Sequence, residues 1–289
     1  MEQTNLLTTL ADQPAIDTIA KPLSRAVRSA YESAGPAGAR VKNAMHGVWL
    51  GHPLHPVFTD VPIGAWTAAL AIDAYADGDR GMRRAATFAL GVGLAGAVAS
   101  AVTGLTDWSE TSSHARRQGL VHGLLNLAAT ALTTVAYVQR LNSSRERGRA
   151  CAWAGYALAL GSAYLGGDLV YGDRIGVTHA VTEQPEQYTD VAGVADVPDG
   201  SLRRARHEDT DVVLIRQGGR LCALAHSCSH LGGPLSEGTL EDGSVVCPWH
   251  GSKFAIDDGR VLNGPATEPQ PVFAVRERDR RIEVKDPTA

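Results

Sequence analysis

The chain has 289 residues, with 27 Lys and Arg against 31 Asp and Glu and a formal net charge of −4. That length allows two domains, and the near-neutral balance without a basic run excludes an electrostatic nucleic-acid binder. Four cysteines, two of them in the motifs below, exclude a disulfide-stapled scaffold.

Ile16, Ile19, Leu23, Val27 and Tyr31 recur on one helical face, which predicts an amphipathic helix packed on the protein or lying along a membrane interface. Pro36 and Gly38 are expected to end it. Asp12, Asp17, Lys21 and Arg25 interrupt the first forty residues, so no cleavable signal peptide is expected. His52 and His55 flank prolines in an extended entry segment, because the residue before a proline avoids the helical region.

Four stretches rich in Ala, Gly, Leu and Val follow, at 57–76, 85–106, 119–139 and 150–167. Each approximates the ~20 residues that a spanning helix needs. The last three carry no charge; the first contains Asp60, Asp73 and Pro62, and carboxylates in a span are functional candidates when they face a bundle interior. Small residues at four-residue spacing, Ala89, Gly93, Ala97 and Ala101, suit close packing in lipid. A water-soluble Ala-rich bundle is the alternative. The first 180 residues hold 15 basic and 13 acidic side chains, whereas the remainder holds 12 and 18.

Four spans would put the start of the first, the end of the second, the start of the third and the end of the fourth on one side. His46, His52, His55, Asp60, Asp107, Trp108, His114, His122, Asp168 and His179 all fall there. Such groups at a membrane face can ligate haem or a metal, or relay protons to a quinone. Helix capping is the plainer use. His52, His55, Asp60, His122 and Asp168 form the candidate membrane-side polar site, with His122 and Asp60 foremost because an unpaired polar group inside a span is costly.

The C-terminal part carries Cys228-Ser229-His230 and, after sixteen intervening residues, Cys247-Pro248-Trp249-His250. Two thiolates and two imidazoles in this order suit a 2Fe-2S cluster with one iron on Cys228 and Cys247 and the other on His230 and His250. A structural zinc site is the alternative, although zinc fingers favour a Cys-x2-4-Cys spacing. Gly232, Gly233, Pro234 and Gly251 let the backbone approach the cluster, and Leu231, Pro234 and Trp249 can shield it. No catalytic residue is assigned. Cys222 and Cys151 read as small buried hydrophobes.

CSHLGGPL and CPWHGSKF resemble Rieske ferredoxin-like domains, and the likeness covers about residues 187–285. The resemblance implies a small antiparallel β-sandwich with a two-loop cluster-binding tip. Hairpin and turn signals agree: 210–216 and 220–225 flank Gly218-Gly219, Asp242-Gly243 and Asp258-Gly259 mark two turns, and 272–276 with 281–285 form a closing pair. The high-potential branch of that family has a disulfide between the loops; here Gly233 and Trp249 occupy the matching places. Ser252 retains a hydroxyl that can reach a sulfide, but Phe254 stands where that branch has tyrosine. Losing a hydrogen bond to the reduced cluster lowers its potential, so the midpoint is expected in the lower part of the range of about −150 to +300 mV.

GHPLHPVFTDVPIGAW and GGDLVYGDRIGV resemble an uncharacterised family of four-helix bacterial membrane proteins over about residues 47–180. That family brings no activity with it, and Asp168 stands where it more usually has histidine. The expected organisation is an N-terminal segment at 1–45, an all-α four-helix membrane domain at 46–180 and an all-β Rieske domain at 181–289. The expected function is one-electron transfer at a multi-pass cell-membrane anchor, between a redox partner or reductase and an acceptor, possible acceptors at the bundle being a quinone or a haem. The alternatives are the ferredoxin component of a separate oxygenase system and a redox sensor acting through the bundle. A self-contained oxygenase is disfavoured, since only 39 residues follow His250. Without an export signal the cluster domain is expected on the cytoplasmic side, the distribution of Lys and Arg being even.

Overall fold

The computed structural model describes residues 6–76, 79–142 and 145–288. The chain divides into two compact units, Met1–Val41 with Leu54–Ile175 and Lys42–Pro53 with Gly176–Ala289.

The helices are α1 (Leu6–Ala11), α2 (Asp17–Ser33), α3 (Gly35–His46), α4 (Leu54–Tyr75), α5 (Arg80–Ser109), α6 (Ser113–Leu141) and α7 (Arg145–Tyr171). In the first unit α4 pairs with α5 and α6 with α7, while α5–α6 and α4–α7 contacts close the ring, so α4 lies diagonal to α6. Close approach comes from glycine: a Cβ on Gly93 would stand 2.3 Å from the Trp66 ring and one on Gly96 would stand 2.5 Å from Val61. Of the expected small-residue row only Gly93 is fully buried, and Ala101 faces outward. The helix period carries the contact through Ala86, Leu90, Gly93, Gly96 and Ser100 instead. At the end of α4, Asp73 is ion-paired with Arg140 of α6, the two side chains 0% and 4% exposed.

Among the described residues three helices, not the expected four, are long and apolar enough to cross a membrane: α4, α5 and α6. α7 forms over its whole expected length but lacks that apolarity, because 150–167 is charge-free yet filled with Ala, Gly, Ser and Tyr. Absence of charge is weaker than hydrophobicity. α4 qualifies despite its two carboxylates. Asp60, however, is exposed on α4 rather than turned into the bundle.

α2 stops at Ser33, and the left-handed Gly35 (φ 56°) turns the chain into α3, so Pro36 starts a helix rather than ending one. Its buried positions are Ala20 and Ser24, whose Oγ donates to Ser109 O at 3.0 Å. Ile19 and Leu23 of the expected face point outward.

The second unit is built on β1 (Thr189–Gly193), β2 (Ser201–His207), β3 (Thr210–Gln217), β4 (Arg220–Ala225), β5 (Thr239–Glu241), β6 (Ser244–Val246), β7 (Lys253–Ala255), β8 (Val261–Asn263), β9 (Val272–Arg278) and β10 (Arg281–Lys285). A six-stranded antiparallel sheet runs β1-β10-β9-β4-β3-β2 and a four-stranded one runs β5-β6-β7-β8. The larger sheet curls until its edge strands β1 and β2 touch, a nearly closed barrel in place of the open sandwich expected; twist and closure together protect both edges. β3 and β4 meet at Gly218-Gly219, both with positive φ, as a two-residue hairpin requires. Along β3, Val212 and Leu214 fill one core while Val213 and Ile215 enter another that also holds Cys228, Cys247 and Phe254. That second core joins the two sheets beneath the loops that carry the motifs.

Candidate metal centre

The first motif lies on the loop after β4, ending in a 3-10 turn at Leu235–Glu237; the second lies on the loop between β6 and β7. The loops are backbone twins. Cys228 N donates to Gly233 O at 2.8 Å and Cys247 N to Ser252 O at 2.8 Å; Gly232 N donates back to Cys228 O at 2.8 Å and Gly251 N to Cys247 O at 3.1 Å. Each loop reverses through a left-handed glycine, Gly232 at φ 76° and Gly251 at φ 75°, a conformation that a side chain makes costly. The amides of His230 and Leu231 point at the Cys228 sulfur, and those of Trp249 and His250 at the Cys247 sulfur. Such amide cradles stabilise anionic sulfur.

Both cysteines are buried and free of disulfide. The two thiols share a hydrogen bond. Cys228 donates, which with burial pushes its own titration up, whereas the hydrogen bond it gives Cys247 lowers the latter to about 7. The half-buried His230 and His250 rings lie 5.1 Å apart at 88°. Burial first, then the neighbouring His250, His46, His179 and Lys42, holds the His230 imidazole well below its ordinary pKa and hence neutral. Its Nδ1 is buried and has no hydrogen-bond partner among the described residues.

The residues present therefore fit a two-iron cluster. Two buried sulfurs in amide cradles, and beside them a neutral imidazole with a nitrogen unspent in a dry site, match the deprotonated donors that iron requires. Gly233 carries the tightest constraint: a Cβ there would stand 2.7 Å from Cys247 Sγ and 3.2 Å from the Trp249 ring. Among the described residues no group of three or more His, Cys, Asp or Glu is gathered for a single metal ion. A cluster spreads its donors over two irons and needs no such gathering.

Of the expected neighbours, Phe254 is fully buried in the core beside both cysteines, Ser252 is fully buried, and Leu231 and Pro234 are half-buried. Ala266 N donates to Ser252 Oγ at 3.0 Å, leaving the hydroxyl proton for another acceptor. Trp249 is 56% exposed, so it lies against His250 as a surface aromatic rather than as a lid.

Gln270 escaped the sequence reading. It is 1% exposed, accepts from Ser229 N at 3.0 Å and donates through Nε2 to Ala225 O at 2.7 Å and Ser227 O at 2.6 Å, so one amide clamps the first loop. Ser229 Oγ adds a bond to Glu268 O at 2.8 Å. The only signal was a glutamine between Pro269 and Pro271, where a polar side chain substitutes for missing backbone donors. Also unforeseen is the docking of Lys42–Pro53 on this unit. Asn43 donates to Asn263 Oδ1 at 2.8 Å and accepts from Gly264 N at 2.9 Å, while His46 is 2% exposed. His179 N donates to Ser229 O at 2.9 Å.

Four of the five membrane-side candidates, His55, Asp60, His122 and Asp168, belong to the first unit. His55 and His122 meet, with ring centroids 6.4 Å apart. Asp168 accepts from Gln118 Nε2 at 2.6 Å, Asp60 is exposed, and His52 lies exposed in the second unit.

Residues 187–274 match the family described as the Rieske 2Fe-2S domain, and residues 51–181 match a family described as a predicted membrane protein, DUF2231. The 3-phenylpropionate/cinnamic acid dioxygenase ferredoxin subunit of Photorhabdus laumondii subsp. laumondii is 36% identical over 93 residues, covering 32% of this chain and 88% of that protein. Apoptosis-inducing factor 3 of Mus musculus is 33% identical over 95 residues, 33% of this chain; the chain spans only 16% of the length of that relative. A solved complex of reduced oxygenase and oxidized ferredoxin in carbazole 1,9a-dioxygenase contains a chain 29% identical, with 34% of this chain and 93% of that chain covered and a TM-score of 0.33.

Proposed function

This chain belongs to the Rieske 2Fe-2S family and joins that domain to a helical region of the DUF2231 membrane family, and we propose that it is a membrane-anchored ferredoxin-type carrier passing single electrons to a separate oxygenase. The observation that carries this reading is the pair of twin loops, which place two cradled sulfurs beside the His230 and His250 rings at one edge of a small domain. The resemblance to a dioxygenase ferredoxin subunit over most of that protein's length supports the choice of acceptor.

Cys228 and Cys247 would hold one iron, and His230 and His250 the other. A bound cluster supplies one-electron storage at a potential raised by its two neutral nitrogen ligands. The residues supply the rest. Gln270 and the left-handed glycines fix the loops, the amides of His230, Leu231, Trp249 and His250 stabilise charge on sulfur, and Phe254 excludes water from behind. Trp249, exposed beside His250, gives a partner an aromatic docking contact next to the electron exit. The acidic excess after residue 180 favours a basic patch on that partner.

The second reading, a relay between a redox partner and a quinone or haem at the membrane, draws on the membrane-length helices. The discriminating experiment mixes the reduced full chain in detergent with a Rieske-type oxygenase component plus its aromatic substrate, and separately with a short-chain quinone. Electron delivery to the oxygenase with product formation supports the ferredoxin reading; reoxidation by the quinone alone overturns it in favour of the relay. His230→Ala should abolish the rhombic Rieske EPR signal, and survival of that signal would refute the ligand assignment. The cluster domain is proposed to face the cytoplasm, to be checked by impermeant cysteine labelling at an engineered exposed site.

A further inference from the structure

The two helical hairpins of the first unit repeat one device outside the metal centre. On α4, His55 Nδ1 lies 2.9 Å from Ser100 O of α5, with Ser100 Oγ at 3.4 Å. Four residues after that serine is Gly104, where a Cβ would stand 2.7 Å from the His55 ring. On α6, His122 Nδ1 lies 2.8 Å from Ser162 O of α7 and 2.9 Å from Ser162 Oγ. Four residues after that serine is Gly166, where a Cβ would stand 3.0 Å from the His122 ring. Histidine, serine carbonyl and glycine thus recur in the same relation in both hairpins.

A carbonyl oxygen only accepts, so each Nδ1 carries the proton and each Nε2 keeps its lone pair. Asn126, one turn beyond His122, agrees with that tautomer, since its Nδ2 donates to His122 Nε2 at 3.1 Å. The two imidazoles come from diagonal helices and meet with centroids 6.4 Å apart and planes at 85°.

We propose that His55 and His122 are the axial ligands of a haem held in the helical unit. The spacing is that of two imidazoles sharing one metal: two metal–nitrogen bonds of about 2.0–2.1 Å and about 1.2 Å from each nitrogen to its ring centre give about 6.4–6.6 Å, against the 6.4 Å between these centroids. Two imidazoles alone leave a bare ion short of its four ligands. Among the described residues no third His, Cys, Asp or Glu joins them. A haem brings four nitrogens of its own and asks the protein only for axial donors. The serine carbonyls would then be the outer partners that fix tautomer and ring orientation. Gly104 and Gly166 keep α5 and α7 low beside the rings, and Asn126 swings off Nε2 as iron takes its place. This inference is independent of the iron-sulfur assignment.

The test purifies the full chain in detergent from cells supplied with a haem precursor. It records the Soret band, the pyridine haemochrome and total metal beside the Rieske EPR signal. The expected result is a Soret band of about one haem per chain, reduced about tenfold or more in both His55→Ala and His122→Ala, with the helical circular dichroism and the elution volume in detergent unchanged as the check that the helical unit of each variant is folded. Hemin titrated into haem-depleted protein should restore the band in the wild type and in Asn126→Ala but in neither histidine variant. A protein with full EPR signal that neither carries nor takes up haem would overturn the proposal. So would metal without porphyrin, or a Soret band indifferent to both histidines.

Discussion

Gln270→Ala tests whether one buried amide holds the first cluster loop. The truncation strands Ser229 N–H and the carbonyls of Ala225 and Ser227 in a place where the side chain is 1% exposed. Each stranded group costs about 1–3 kcal/mol, so three set a range of about 3–9 kcal/mol. Water entering the space left by the amide recovers part of this, and the expected loss is about 3–5 kcal/mol. That is a large share of the ~5–15 kcal/mol of a typical domain. Ser229→Ala is the calibrator: it removes only the bond from Oγ to Glu268 O and should cost about 1 kcal/mol. The assay is denaturant unfolding of the full chain in mild detergent, followed by bleaching of the cluster's visible absorption. A Gln270→Ala transition within 1 kcal/mol of the wild type, or no larger in its shift than that of Ser229→Ala, would refute the reasoning.

Redox titration should place the midpoint in the lower part of the range of about −150 to +300 mV. Phe254→Tyr should raise it and Ser252→Ala lower it, each by roughly 45–65 mV, the one-electron equivalent of a hydrogen bond of about 1–1.5 kcal/mol. Gly251→Ala meets no atom within 4 Å and bears only the left-handed strain at φ 75°, about 1–2 kcal/mol, so its EPR signal should survive. Gly233→Ala, with its Cβ 2.7 Å from Cys247 Sγ, should lose that signal. Asp73→Ala or Arg140→Ala should each destabilise the helical unit by about 3–5 kcal/mol in thermal unfolding, whereas replacing both with leucine should cost far less. The Asp79 carboxylate accepts from Met82 N at 3.0 Å at the start of α5, and this bond, ahead of that from Gly81, holds its pKa below the ordinary value. Its stabilisation is therefore present above the unfolded pKa of about 3.9 and lost as pH falls through the folded one. Asp79→Ala should lower the melting temperature at neutral pH, with the gap closing in acid; a gap that stays constant to pH 2 would count against the cap.

What depends on near neighbours is legible in the chain itself. The Cys-x-His and Cys-x-x-His spacings, the glycines that turn both loops, the Gly218-Gly219 hairpin and the long apolar helices are all local, because turn conformation and helix period are set within a few residues. What depends on distant parts of the chain meeting is visible only once the chain has folded. Gln270 reaches back 41 residues to Ser229, and Asn43 bonds Asn263 and Gly264 across more than 200; no periodicity announces such pairs. The same holds for the four membrane-side residues of the first unit, where His55 and His122 come together while Asp60 is exposed, since side-chain direction on a helix is fixed by the faces that pack. The number of membrane-length helices also turned on more than charge. Among the described residues the three long enough and apolar enough carry Leu and Val, with Ile in α4, whereas α7 relies on Ala and Gly, whose small side chains offer lipid little apolar surface.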